Sequence, residues 1–206
     1  MGTALKQPNK WALTGVVVVN IVLFLALLNG TSLIDWTSLL SSVIRALPAG
    51  VGVGLVGVLN AQLSAETKAR LVFFRWHNPL PASRAFSQLV HQDPRIDVRR
   101  LAEIVGPFPT GSKEQNAKWY GLYKSVEAEP SVVQVHRAYL FTRDYTCLAA
   151  MMFLLLTPLA FFTFPSWRLA AAFAAAVLIQ FLLVRRAARH HGVRFVTNVL
   201  ALKAAG

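Results

Sequence analysis

The sequence predicts an all-α membrane protein with four transmembrane helices and a small helical cytoplasmic module inserted between the second and third. Three observations carry this. Hydrophobic residues are 55% of the 206 and charged residues only 15%, against roughly a quarter charged in soluble domains. Charge-free apolar runs approaching 20 residues occur near both ends of the chain. The 21 Lys and Arg, against 9 Asp and Glu, are missing from the two short loops that would join paired spans, 30–37 and 165–167.

Residues 1–11, with Lys6 and Lys10 ahead of an apolar stretch, form the N-terminal flank. The run that follows shows no small-x-small cleavage pattern, so it reads as a retained anchor rather than a signal peptide. Lys6 stands where a myristoylation signal wants Ser or Thr, which excludes that modification. The first span is 12–29, "ALTGVVVVNIVLFLALLN". Its length approaches a hydrocarbon core of about 30 Å at about 1.5 Å per residue. Asn20 sits at its middle and is expected to face another helix and hydrogen-bond there.

The rest of the first hairpin (12–63) is less regular. Trp36, Leu39, Leu40 and Val43 recur at amphipathic-helix spacing among Ser, Thr and Arg45, so 36–46 reads as an interfacial helix interrupted by Pro48. The second span is then 47–63. Within it Gly50 and Gly54 form a GxxxG and Gly57 adds a further notch, a face for close helix packing, either within one chain or between copies in a homo-oligomer. In the second hairpin (145–184), the third span is 145–165, where Pro158 should kink the helix and Thr157 is placed to bond a freed carbonyl. The fourth span is the alanine-rich 167–184. Trp11, Trp36, Tyr145 and Trp167 fall at the expected membrane interfaces.

Residues 64–144 form the module. Ala69, Val72, Phe73 and Trp76 follow a helical stripe, with Glu66 and Arg70 an i,i+4 pair, so the second span is expected to continue into it. Asp97 is placed to cap a helix ending at Val105 before Gly106-Pro107. Ser112-x-x-Gln115 has the capping-box pattern, followed by the stripe Trp119, Leu122, Tyr123 and Val126. A last helix opens at Pro130-Ser131 and meets no breaker before Pro158, so it should run directly into the third span. Residues 185–206 read as a basic cytoplasmic tail in which Arg185, Arg186, Arg189 and Arg194 anchor lipid head groups.

The stretch "RWHNPLPASRAF", 75–86, is where chemistry would sit. Pro79 disfavours helical geometry at Asn78 and Pro81 suits a first turn, so the plain reading is a corner between two helices whose arginines rest on the membrane surface. The sharper reading is an anion or partner contact made by Arg70, Arg75, His77 and Arg84. Elsewhere His77, His91 and His136 lack metal-ligand spacing. His190-His191 reads as part of a solvated basic patch, and Asp93 and Asp97 as turn caps. Cys147 reads as a small buried residue. No phosphate loop, nucleophile elbow, HExxH or carboxylate pair is present, so no catalytic, cofactor or metal site is assigned. The module's aromatics follow core spacing rather than a surface platform, which argues against nucleic acid.

These features imply a bacterial-type inner (plasma) membrane protein with both termini and the module in the cytoplasm. Its expected role is a non-enzymatic subunit that docks or responds to a cytoplasmic protein partner. The alternative is a membrane-permeabilising effector, of an anti-phage or suicide type, gated by a ligand or partner on the module.

Overall fold

The computed structural model describes residues 2–28, 58–59 and 61–205, with side chains from Lys10 onward. The interfacial helix predicted at 36–46, most of the span predicted at 47–63, and Trp36, Gly50, Gly54 and Gly57 lie outside the described residues. All regular structure among the described residues is helical. It comprises α1 (Gly2–Leu28), α2 (Ala65–Phe73), two short 3-10 turns (Pro81–Arg84 and Leu89–His91), α3 (Val98–Val105), α4 (Ser112–Val126), α5 (Pro130–Thr163) and α6 (Trp167–Ala205).

Helices α1, α5 and α6 are each long and apolar enough to cross a membrane, so this is a membrane protein by its physical make-up. Two of them also exceed the need. At about 1.5 Å per residue, the 34 residues of α5 and 39 of α6 reach roughly 50 and 60 Å, against about 30 Å of hydrocarbon. The surplus is where the chain's other chemistry lies. The chain divides accordingly into two compact units, Met1–Ser64 with Asp144–Val184, and Ala65–Arg143 with Arg185–Gly206. The boundaries fall inside α5 and α6, neither of which breaks there.

The first unit is held by phenylalanines. Phe24, Phe164 and Phe173 are buried and their ring centroids lie 5.0–5.6 Å apart in tilted and edge-on pairs, the arrangement the ring quadrupole favours. Tyr145, on α5, accepts a hydrogen bond from the Gln180 amide of α6 at 2.9 Å. Asn20 is buried, and its side-chain amide donates to the Val16 carbonyl one turn back at 2.9 Å. Its bond is thus within its own helix rather than across to a neighbour. Val19, Leu154, Leu155, Phe162, Ile179 and Leu183 are exposed, a large-residue apolar surface that suits lipid. Pro158 lies inside the continuous α5. The Thr157 hydroxyl is buried without a hydrogen-bond partner, so it does not supply the carbonyl bond expected of it. Cys147 is buried.

The second unit is built around the C-terminal half of α6. Ala188, Phe195, Val196, Val199, Leu200 and Ala204 are in its core, with Ala69, Val72 and Phe73 of α2, Trp119 of α4, and Val132 and Tyr139 of α5. The segment read from sequence as a basic tail is therefore a core helix here. Its arginines are conspicuous in sequence, but between them the apolar residues recur at helical spacing and bury. Phe195 is the hub. It stacks on His136 at 4.4 Å and meets Trp119 and Tyr123 edge-on at 5.1 and 5.3 Å. The Trp119 indole donates to the Val196 carbonyl at 3.2 Å, and Tyr123 and His136 share a hydrogen bond at 3.3 Å. Gly192 lets α6 come this close: a Cβ there would stand 2.8 Å from the Phe73 ring and 2.9 Å from that of Tyr139.

Local signals worked unevenly. Asp97 caps α3 as expected, accepting from the Arg99 and Arg100 amides at 3.0 Å. Gly106 ends the helix at φ 76°, a left-handed value that glycine adopts without strain. Asp93 caps its turn as expected, accepting from the Arg95 amide at 3.1 Å, and its carboxylate also accepts from the Arg95 Nε at 3.0 Å and Nη2 at 2.7 Å. That pairing holds its pKa down to about 2. Helix α2 starts afresh rather than running on from residues before it, because 62–64 are non-helical and Glu66 stands in its first turn, where carboxylates favour a helix start. It also ends at Phe73, so Trp76 leaves the predicted stripe and is 80% exposed.

Candidate functional site

The corner at 74–91 is shaped by backbone constraints and one buried side chain. Phe74 and Asn78 take left-handed φ values of 50° and 48°, costly for a non-glycine residue such as phenylalanine. They reverse the chain after α2. Leu80 is extended and Pro81 opens the first 3-10 turn, where its fixed φ and missing N–H cost nothing. The predicted second helix of the corner is thus a pair of 3-10 turns. Gln115 then fixes it in place. Its side-chain oxygen accepts from the Phe86 and Ser87 amides and the Ser87 hydroxyl, each at 3.1 Å, and its Nε2 donates to the Thr110 carbonyl at 3.2 Å. The capping-box reading of Ser112-x-x-Gln115 is corrected here. Gly111 occupies the N-cap without a side-chain bond, and Gln115 is buried as a bracket between α4 and the corner.

Held this way, the corner presents Arg75 and Arg84 to one small cavity, and α6 adds Arg189. Gln88 and Gln92 complete its polar wall, and Phe73, Leu89 and Val193 its apolar floor. The cavity is about 90 Å³. Arg84 lies over the Phe73 ring at 5.7 Å, and its Nη1 is buried without a hydrogen-bond partner. Burial pushes its guanidinium pKa below the ordinary value, and the charges of Arg75 and Arg189 push it further. Glu66–Arg70, Asp93–Arg95 and Lys124–Glu127 form ion pairs elsewhere on the unit. None reaches this cavity.

Sequence spacing groups Arg70, Arg75, His77 and Arg84. Of these, Arg75 and Arg84 meet at this cavity, while Arg70 shares a neighbouring one with Arg75. Arg70 pairs with Glu66 at 2.8 Å and His77 is exposed, and neither lines the cavity. Arg189 reads as a lipid anchor from sequence because more than a hundred residues separate it from the corner. Of the other arginines read that way, Arg185 lies over the Phe74 ring at 3.3 Å and donates to the Leu71 carbonyl at 3.3 Å, while Arg186 and Arg194 are exposed. His191 is half-buried rather than fully solvated. Desolvation, then Arg194 and His190, lowers its pKa.

A second cavity of about 430 Å³ adjoins the same corner. Thr67, Arg70, Leu71, Phe74, Arg75 and Trp76 line it, so Arg75 faces both spaces. Two of its aromatics, Phe74 and Trp76, are largely exposed. Among the described residues no group of three His, Cys, Asp or Glu is placed to hold a metal ion. Buried charge also occurs at Lys68, Arg143 and Asp144, none of which the spacing of apolar residues singles out. Compared with known proteins, the chain matches no family model, no curated protein and no solved structure.

Proposed function

We propose that the chain is a non-enzymatic integral membrane subunit of the cell's inner (plasma) membrane. In this reading the helical unit of 65–143 and 185–205 faces the cytoplasm and docks or responds to a protein partner. The observation that supports it is the continuity of α5 and α6, each of which runs without a break from the core of that unit into a membrane-length apolar stretch. A load on the unit would travel along two stiff helices rather than through a linker. Orientation follows from the Lys and Arg asymmetry.

Exposed apolar residues on the unit mark the face to test. Ile104 and Tyr120 are 50% and 52% exposed on α3 and α4, two helices with no membrane-length stretch. A photocrosslinking residue at either position should capture a discrete protein in intact cells. The same probe at Phe162, on the lipid-facing surface, should not. Absence of any adduct at Ile104 and Tyr120 would sink the docking role. Adducts formed only between copies of this chain would favour the membrane-permeabilising effector, for which Pro158 inside α5 provides a point of bending.

A further inference from the structure

We propose that Arg75, Arg84 and Arg189 form a binding site for a phosphate group, with Gln88 and Gln92 as its neutral hydrogen-bond donors. The inference deepens the reading above by naming the chemistry to which the unit responds.

Three arginines around a cavity of about 90 Å³ repel one another, and none has a carboxylate partner among the described residues. Leaving a charged, buried donor unpaired is costly, and the Arg84 Nη1 is such a donor. Arginines that merely rest on a membrane surface keep their guanidinium groups in water. Arg84 does not. It lies over Phe73 in a corner whose backbone is bracketed by Gln115. A tetrahedral dianion removes the repulsion and fills the donors, and the planar fork of arginine matches its oxygens. The volume selects too. It suits one phosphate group and lies well below the roughly 300–1,000 Å³ of sites that enclose whole small-molecule ligands.

The phosphate has two sources. One is a soluble phosphate. The other is a lipid with an exposed phosphomonoester, such as phosphatidic acid, and the adjoining cavity of about 430 Å³ with Leu71, Phe74 and Trp76 offers room for part of its chains. Arg75 belongs to both spaces, so the two sources share the same arginines.

The test uses the full chain in phosphatidylcholine nanodiscs, with thermal unfolding followed at constant ionic strength. Inorganic phosphate, or replacement of part of the lipid by phosphatidic acid, should raise the unfolding temperature beyond what chloride or phosphatidylserine does. A response to phosphatidic acid alone identifies the lipid source, and a response to inorganic phosphate identifies the soluble one. Arg84→Gln with Arg189→Gln should abolish the response. Because Arg189 is exposed, Arg189→Gln alone is the control for folding. Without phosphate it should unfold at the wild-type temperature or above, since a like charge has been removed, and it should still lose the response. The proposal is overturned if neither probe stabilises the wild type beyond its control. It is equally overturned if the variants respond as the wild type does, or if Arg189→Gln is destabilised in phosphate-free buffer. Photocrosslinking at Ile104 and Tyr120 is independent of these outcomes, so loss of the phosphate site leaves the docking role to be judged separately.

Discussion

At the scale of single residues, two glycines on neighbouring helices predict opposite outcomes. Gly192 sits where a Cβ would come within 3 Å of the rings of Phe73 and Tyr139, both buried. Alanine there gains about 1 kcal/mol of helix propensity but forces overpacking that typically costs about 1–3 kcal/mol. Gly192→Ala should therefore destabilise the second unit by about 1 kcal/mol. Gly121, exposed on α4 with nothing within 4 Å of where a Cβ would stand, carries no such cost. Gly121→Ala should stabilise by up to about 1 kcal/mol. Chemical denaturation of the two variants in the same detergent checks the pair, and equal signs would show that packing at Gly192 is looser than its distances imply. Asp93 gives a pH test. Its folded-state pKa of about 2 is below its ordinary value of 3.8, chiefly through the hydrogen bond to Arg95. A carboxylate depressed in this way stabilises the folded state above about pH 4, and that contribution fades as pH falls through about 2. Asp93→Asn should lower stability by about 1 kcal/mol near neutrality, a small value because Arg95 is largely exposed. The variant and wild type should converge as pH approaches about 2. A constant gap across that range would assign the effect to something other than ionisation.

At the scale of elements, what could be read from the sequence was what depends on neighbours along the chain. The Asp97 cap, the Gly106 stop, the start of the long helix at Pro130 and its passage through Pro158 rest on contacts within a few residues, and these were legible. Gln115 was not, because the same Ser-x-x-Gln spacing serves either a capping box or a bracket to Phe86 and Ser87, which lie 29 and 28 residues away. The C-terminal half of α6 was hidden differently. Its arginines suggested a solvated tail, whereas the apolar residues between them fill a core whose other walls are contributed by residues 69–139. The site followed the same rule. Arg75 and Arg84 are close in sequence and could be paired on that alone, but Arg189 joins them only through the fold.

At the scale of the whole molecule, the proposed function carries one threading. Helix α5 leaves the second unit as an apolar stretch and α6 returns to it, so residues 65–143 and 185–205 must share one side of the bilayer because they share one hydrophobic core. In the reading proposed above, the Lys and Arg distribution assigns that side to the cytoplasm and the loop after α1 to the far side. A single measurement tests this most directly: a reporter active only in the cytoplasm, inserted at Gly111, fused after Gly206, or inserted at Gly30. Activity at Gly111 and Gly206 with none at Gly30 is the predicted result. Activity at Gly30, or a difference between Gly111 and Gly206, would contradict the threading.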